Sequence, residues 1–251
     1  MEKHRSWLTA AILYGVVAAP PAWGQTTLVI LQNGLSGYTG TGDASIYEEN
    51  DTFSNGGFNG IFVGRAGDNL PLPPQGAIRR GAIRFDLSSI PAGSMVLAVT
   101  LTLEIGGAPA TGPAQTSQSL HPLLKDWNEG SVSAGSRGGA SNPGDMTWRS
   151  NKAGQEDWVT PGGDFGPASA AATVGQSGKV GWASVPMAAD VQAWIDNPSA
   201  NFGWMLVGDE SGTLRTARRF NSSEDLSSSR RPALSILLDQ PSMNVESWDL
   251  Y

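Results

Sequence analysis

At 251 residues, with 32 Gly, 16 Pro, 16 % charged and 39 % hydrophobic side chains, the chain is long enough for one large core and composed for short strands joined by many turns. The absence of cysteine excludes a disulfide framework and a lipid-modified cysteine, and with only 2 histidines a zinc centre fits poorly. A net charge of −7 argues against nucleic acid as a partner, because displacing counterions from phosphates needs a basic balance.

Met1 to Gly24 reads as a secretory leader. Lys3, His4 and Arg5 form a basic start, an apolar run extends from Trp7 to Ala19, and Pro20-Pro21-Ala22-Trp23-Gly24 places small residues where a cut after Gly24 needs them. The run is too short to span hydrocarbon, and no other segment reaches the required length. The expectation is a secreted protein, extracellular or periplasmic, without membrane insertion after cleavage. Lys3 and Arg5 outweigh Glu2 by one charge, so losing the leader takes the net charge from −7 to −8.

Segments rich in β-branched and aromatic residues then recur between Gly, Pro, Asn and Asp, at 28–31, 44–47, 61–63, 77–86, 94–105, 179–185, 202–207, 216–221 and 233–238. In the most regular, Leu97, Val99, Leu101, Leu103 and Ile105 alternate with Ala98, Thr100, Thr102 and Glu104, the period of a strand covered on one face. This many strands predicts an all-β fold, an antiparallel two-sheet β-sandwich of jelly-roll-like character. One segment is helical instead: Met187, Val191, Trp194 and Ile195 predict a short helix near 187–196, closed by Asn197-Pro198 and laid over one end of the sandwich. The tracts 106–119 and 130–144 read as long loops, and 25–238 as one domain followed by a tail, 239–251.

Several passages resemble a known family. They are Gly42-Asp43-Ala44-Ser45-Ile46-Tyr47, the Ser54-Asn55-Gly56-Gly57 turn, Arg84-Phe85-Asp86-Leu87-Ser88-Ser89-Ile90-Pro91-Ala92-Gly93, Asp126-Trp127-Asn128-Glu129-Gly130 followed by Met146-Thr147-Trp148, and Phe220-Asn221-Ser222-Ser223-Glu224 running on to Arg231-Pro232. In order and spacing they are similar to the DNRLRE family of secreted β-sandwich modules, whose members include carbohydrate-binding modules. The chain departs from the family pattern in an enlarged stretch at 67–74 and in the wide 130–144 tract. The resemblance implies architecture and leaves the ligand open.

Two residue sets are candidates for glycan binding. Trp127, Trp148 and Trp158 lie in or beside long loops, where an indole face can stack on a sugar ring or plug a packing corner, whereas Trp194 and Trp204 belong to patterned elements and read as core. Arg84, Arg218 and Arg219 belong to clusters of arginine on an acidic chain, suited to uronic acid or sulfated polysaccharides unless Glu224 and Asp225 pair with them internally. Asp43 and Asp51, with Asn55 and Asn59 among glycines, are candidate ligands for a structural calcium ion.

Catalysis is not expected. Asp126, Glu129, Glu224 and Asp225 show no recognisable glycosidase pairing, and the Gln-Ile-His and Arg-x-Glu-x-Arg elements of jelly-roll alginate lyases are missing around His121. The leading expectation is a non-catalytic module that binds polysaccharide or cell-surface glycan. The alternative is a structural or self-associating protein of a bacterial cell surface or extracellular matrix, and behind it stands a jelly-roll polysaccharide lyase.

Overall fold

The computed structural model describes residues 25–67 and 76–240; the expected leader, the 68–74 part of the stretch read as enlarged, and the tail beyond Gln240 lie outside them. The chain order opens with β1 (Gln25–Leu31), β2 (Thr41–Tyr47), β3 (Phe53–Ser54), β4 (Ile61–Arg65) and β5 (Ile78–Phe85). It continues through β6 (Met95–Gly107), β7 (Thr116–Pro122), β8 (Gly139–Ala140), β9 (Ser150–Lys152), β10 (Glu156–Asp157), β11 (Ala170–Val174) and β12 (Gly178–Ala183). The helix α1 (Val185–Asp196) then precedes β13 (Trp204–Val207), β14 (Arg218–Phe220) and β15 (Ala233–Gln240).

The fold is an all-β, antiparallel sandwich, and among the described residues its two layers are one curled sheet of 11 strands. One layer gathers β12, β6, β15, β1 and β14; the other gathers β2, β5, β13, β7 and β11. They are joined by β4, whose Ile61, Phe62 and Val63 pair with β14 while Gly64 and Arg65 pair with β5. The strand changes layer at Gly64, where φ is +116° and a Cβ atom would stand 2.9 Å from Ala217 Cα. Only glycine makes that corner without strain.

The alternation read from the sequence faces the space between the layers. Val99, Leu101, Leu103 and Ile105 of β6 are buried there with Leu234, Ile236 and Leu238 of β15 and Ile83, Leu120, Trp204 and Leu206 opposite. Leu97 departs from the pattern and is 45 % exposed. Its register explains why: Leu237 pairs with Ala98 but Leu238 with Val96, so Leu97 is the extra residue of a β-bulge and turns out of the core.

The helix forms at the predicted place, beginning two residues earlier. Ser184 Oγ accepts the Met187 N–H at 3.0 Å, Pro186 occupies the first turn, and the Asn197 N–H closes on Ala193 O at 2.9 Å before Pro198. Met187, Val191 and Trp194 form its buried face, with Trp194 edge-to-face on Trp204 at 4.6 Å. Strands also lie where none was expected: the two- and three-residue β3, β8, β9 and β10, and two longer ones, β7 and β11, that join the large sheet. The tract expected as a loop over 106–119 is thus strand at both its ends. In β7 only Leu120 is an apolar inward residue beside Thr116 and Gln118, and β11 is largely alanine, so neither has the composition of a strand. Pairing makes them strands: Gln118 is buried, its O accepts the Trp182 indole N–H at 3.0 Å, and β11 runs along β7 for five residues. The last strand reaches Gln240, two residues past the expected domain end.

Candidate functional site

The segment between β7 and β11 carries the three candidate tryptophans, Trp127, Trp148 and Trp158. It is mainly irregular, with two-residue β8 pinned to β3 and a small β9–β10 hairpin, and it covers the outer face of the layer containing β2, β5 and β13. Ala44 and Ile46 of β2, Ala82 of β5 and Met205 of β13 point outward into it and meet Leu123, Trp127, Met146, Trp148 and Trp158. This is a second apolar core. It corrects the surface placement expected for the three loop tryptophans, which are 0 %, 8 % and 4 % exposed in that order. The Trp127 and Trp158 indole N–H groups donate to Phe202 O at 2.8 Å and Thr147 O at 2.9 Å. Arginine already covers two of the ring faces: Arg84 lies over Trp127 at 5.3 Å and Arg80 over Trp148 at 4.9 Å.

The three arginines singled out separate into different roles. Arg218 points inward from β14, is fully buried, and donates to the carbonyls of Gly175, Pro113, Thr216 and Ala217, so it ties two loops to the strand. Burial without a carboxylate lowers its pKa. Arg219 faces the other way, donates to Asn59 O and Oδ1 at 2.8 and 2.9 Å, and lies over Phe58. Neither pairs with Glu224 or Asp225, as a hairpin pairing would require; Asp225 is held by Arg230 instead. Arg84 remains accessible, its side chain 34 % exposed. It donates to Asp126 Oδ1 at 2.8 Å, and Lys152 holds the other oxygen of that carboxylate at 2.8 Å. Burial opposes ionisation of Asp126, but the hydrogen bonds and charges of Lys152 and Arg84 keep its carboxyl below the usual range. Two cations thus share one anion.

Arg84 lines an open cleft of 420 Å³ with Thr41, Gly42, Trp127, Glu129 and Asn201. Register places Arg84 opposite Gly42 on β2, an edge strand of its layer among the described residues. Where another strand would pair, the Glu129 carboxylate does: Oε1 accepts the Asp43 N–H at 2.7 Å. Gly56 permits this approach, since a Cβ there would stand 1.9 Å from Glu129 O. Asp43 turns inward from β2, and its Oδ2 accepts the Ser223 N–H at 2.8 Å from the loop after β14. The neighbouring Glu224 completes a group of three carboxylates with ligand atoms within 4.8 Å of one another.

This group is electrostatically tense. Burial, with the charges of Glu224 and Glu129, raises the pKa of Asp43 well above the ordinary carboxylate range. Burial and the charge of Glu224 push Glu129 up to about 7, against the opposing Asp43 N–H and Arg84. Such a cluster of hard oxygen donors can hold a proton or a hard cation.

The expected calcium set is not assembled. Asp51 pairs with Arg149 at 2.6 Å, Asn55 serves Tyr47, Ala134 and Gly135, and Asn59 serves Arg219; only Asp43 belongs to the acidic group. Its partners, Glu129 and Glu224, appeared in the sequence as unpaired acids. A signal was present: the sequence passages 42–47, 126–130 and 220–224, singled out above, each supply one carboxylate of the group. His121 stands apart, with Nε2 2.9 Å from Ser119 Oγ and Nδ1 2.9 Å from Gly166 O. No protein-family model matches the chain, and no curated protein matches its sequence.

Proposed function

We infer that this chain is an exported, non-catalytic β-sandwich module of the DNRLRE type that binds an anionic polysaccharide at the cleft beside Arg84. One observation carries the reading: on an acidic protein, Arg84 offers a partly exposed guanidinium at an open polar cleft, steadied from behind by Trp127 and Asp126. Lys152 shares Asp126 with Arg84, so that carboxylate does not neutralise Arg84 alone, although Asp86 and Glu129 also line the cleft. A guanidinium held in this way matches a uronate carboxylate or a sulfate in two-pronged geometry. Sugar stacking on Trp127, Trp148 or Trp158 forms no part of the reading, because their rings are enclosed.

Affinity electrophoresis against alginate, pectin, xylan and cellulose tests it. Retardation is expected on the charged polymers, weakened about tenfold or more in Arg84→Ala, the range of one charge-assisted hydrogen bond, and partly restored in Arg84→Lys. Retardation that is unchanged in Arg84→Ala would remove the cleft from the argument.

A second reading, self-association as a surface or matrix component, is favoured by β1. This edge strand pairs only with β15 among the described residues, carries no charge, and exposes Leu28 and Ile30, without the charged or proline residues that usually protect such edges. Concentration-dependent oligomers in size exclusion, with no glycan retardation, would favour it.

A further inference from the structure

We propose that Asp43, Glu129 and Glu224 jointly bind one divalent cation, and that calcium is the ion their chemistry fits. The inference is independent of the polysaccharide reading. One oxygen of each carboxylate lies within 4.8 Å of the others, a span that a single calcium ion with oxygens at about 2.3–2.6 Å can bridge.

Acidity alone would not argue for an ion, since carboxylates gather on many surfaces. Two features set this group apart. Asp43 is 1 % exposed, and among the described residues its carboxylate is hydrogen-bonded by Ser223 and ion-paired with no lysine or arginine. Glu224 Oε2 is completely enclosed and has no hydrogen-bond partner, although Oε1 of the same carboxylate accepts the Ser223 hydroxyl at 2.7 Å. A carboxylate oxygen withdrawn from water and left without a donor is unfavourable, and a cation supplies the missing partner. It would also relieve the mutual repulsion felt by Asp43 and Glu129.

The donors select the ion. All are carboxylate oxygens, and neither histidine nor cysteine takes part, which disfavours zinc. They come from one strand and two loops, a set better matched to the flexible coordination of calcium than to the strict octahedron of magnesium. Glu129 also lines the cleft, which gives an ion a route in.

The purified protein, stripped with EDTA, is titrated with calcium and in parallel with magnesium, and followed by thermal melting and by terbium luminescence. Trp127, which lines the same cleft as Glu129, serves as the sensitiser. Calcium should raise Tm by about 5–10 °C at a hundredfold excess over its Kd, and it should displace sensitised terbium emission. Both responses should vanish in Glu224→Gln and Asp43→Asn. Should Asp43→Asn fail to fold, Glu129→Gln, at the more accessible ligand, takes its place. An unchanged melting curve without terbium emission overturns the proposal, as does a calcium response retained in Glu224→Gln; the acids would then share protons. Equal shifts with magnesium overturn the assignment to calcium.

Discussion

The space between the layers and the space under the irregular cover are both filled with tryptophan and aliphatic side chains, yet they are held in different ways. Between the layers, Trp182, Trp194 and Trp204 sit among residues delivered by strand alternation and by one helical face. Under the cover, Trp127, Trp148 and Trp158 come from a segment without periodicity, kept in place by side chains that reach across it. Arg80 is the clearest of these, binding Glu210 through two hydrogen bonds at 2.8 Å, donating to Gly162 O at 2.9 Å, and lying over Trp148 and Phe165. The contrast teaches that a regular core is stabilised mainly by burial, whereas an irregular one also depends on a few polar ties that satisfy its backbone.

Three substitutions test this contrast. The largest effect is expected for Trp204→Ala, which opens the core between the layers and removes the indole N–H donor to Asp190 at 2.8 Å; it should cost about 3–5 kcal/mol in urea unfolding, in one cooperative transition. Next, Arg80→Ala leaves Glu210 unpaired in a largely buried position and should cost about 3 kcal/mol. Its distinguishing result is local: limited proteolysis should cut within 123–166 before the sandwich unfolds. If both regions unfold together, they form one cooperative unit and the contrast fails. The smallest effect is expected for Leu97→Ala, within about 0.5 kcal/mol by thermal melting, because the bulge has already moved that side chain out of the core.

These comparisons also mark what could be read from the residues in order. The alternation at Val99, Leu101, Leu103 and Ile105 and the helical spacing of Met187, Val191 and Trp194 correspond to buried faces. The bulge at Leu97 did not show itself, because it depends on how β15 pairs with β6. Strands β7 and β11 were hidden for a similar reason: Gln118 and the alanines of β11 become strand residues through their neighbours. At the candidate site, Asp43 and Arg84 could be named in advance, but their partners could not. Burial then removed the loop tryptophans from the surface, and paired carbonyls enclosed Arg218.

By itself the sequence determined the class of fold and most of its strands, since a period of two along the chain is a local property that burial on one face converts into a sheet. Tertiary structure decided where charge and aromatic surface end up. The hydrogen bonds from Asp43 N to Glu129 and from Ser223 N to Asp43 join residues 86 and 180 positions apart. No local spacing encodes such meetings. They follow from the edge of β2, which among the described residues has no neighbouring strand at Asp43 and accepts a glutamate in its place, drawing the three carboxylates into one group around the buried Asp43.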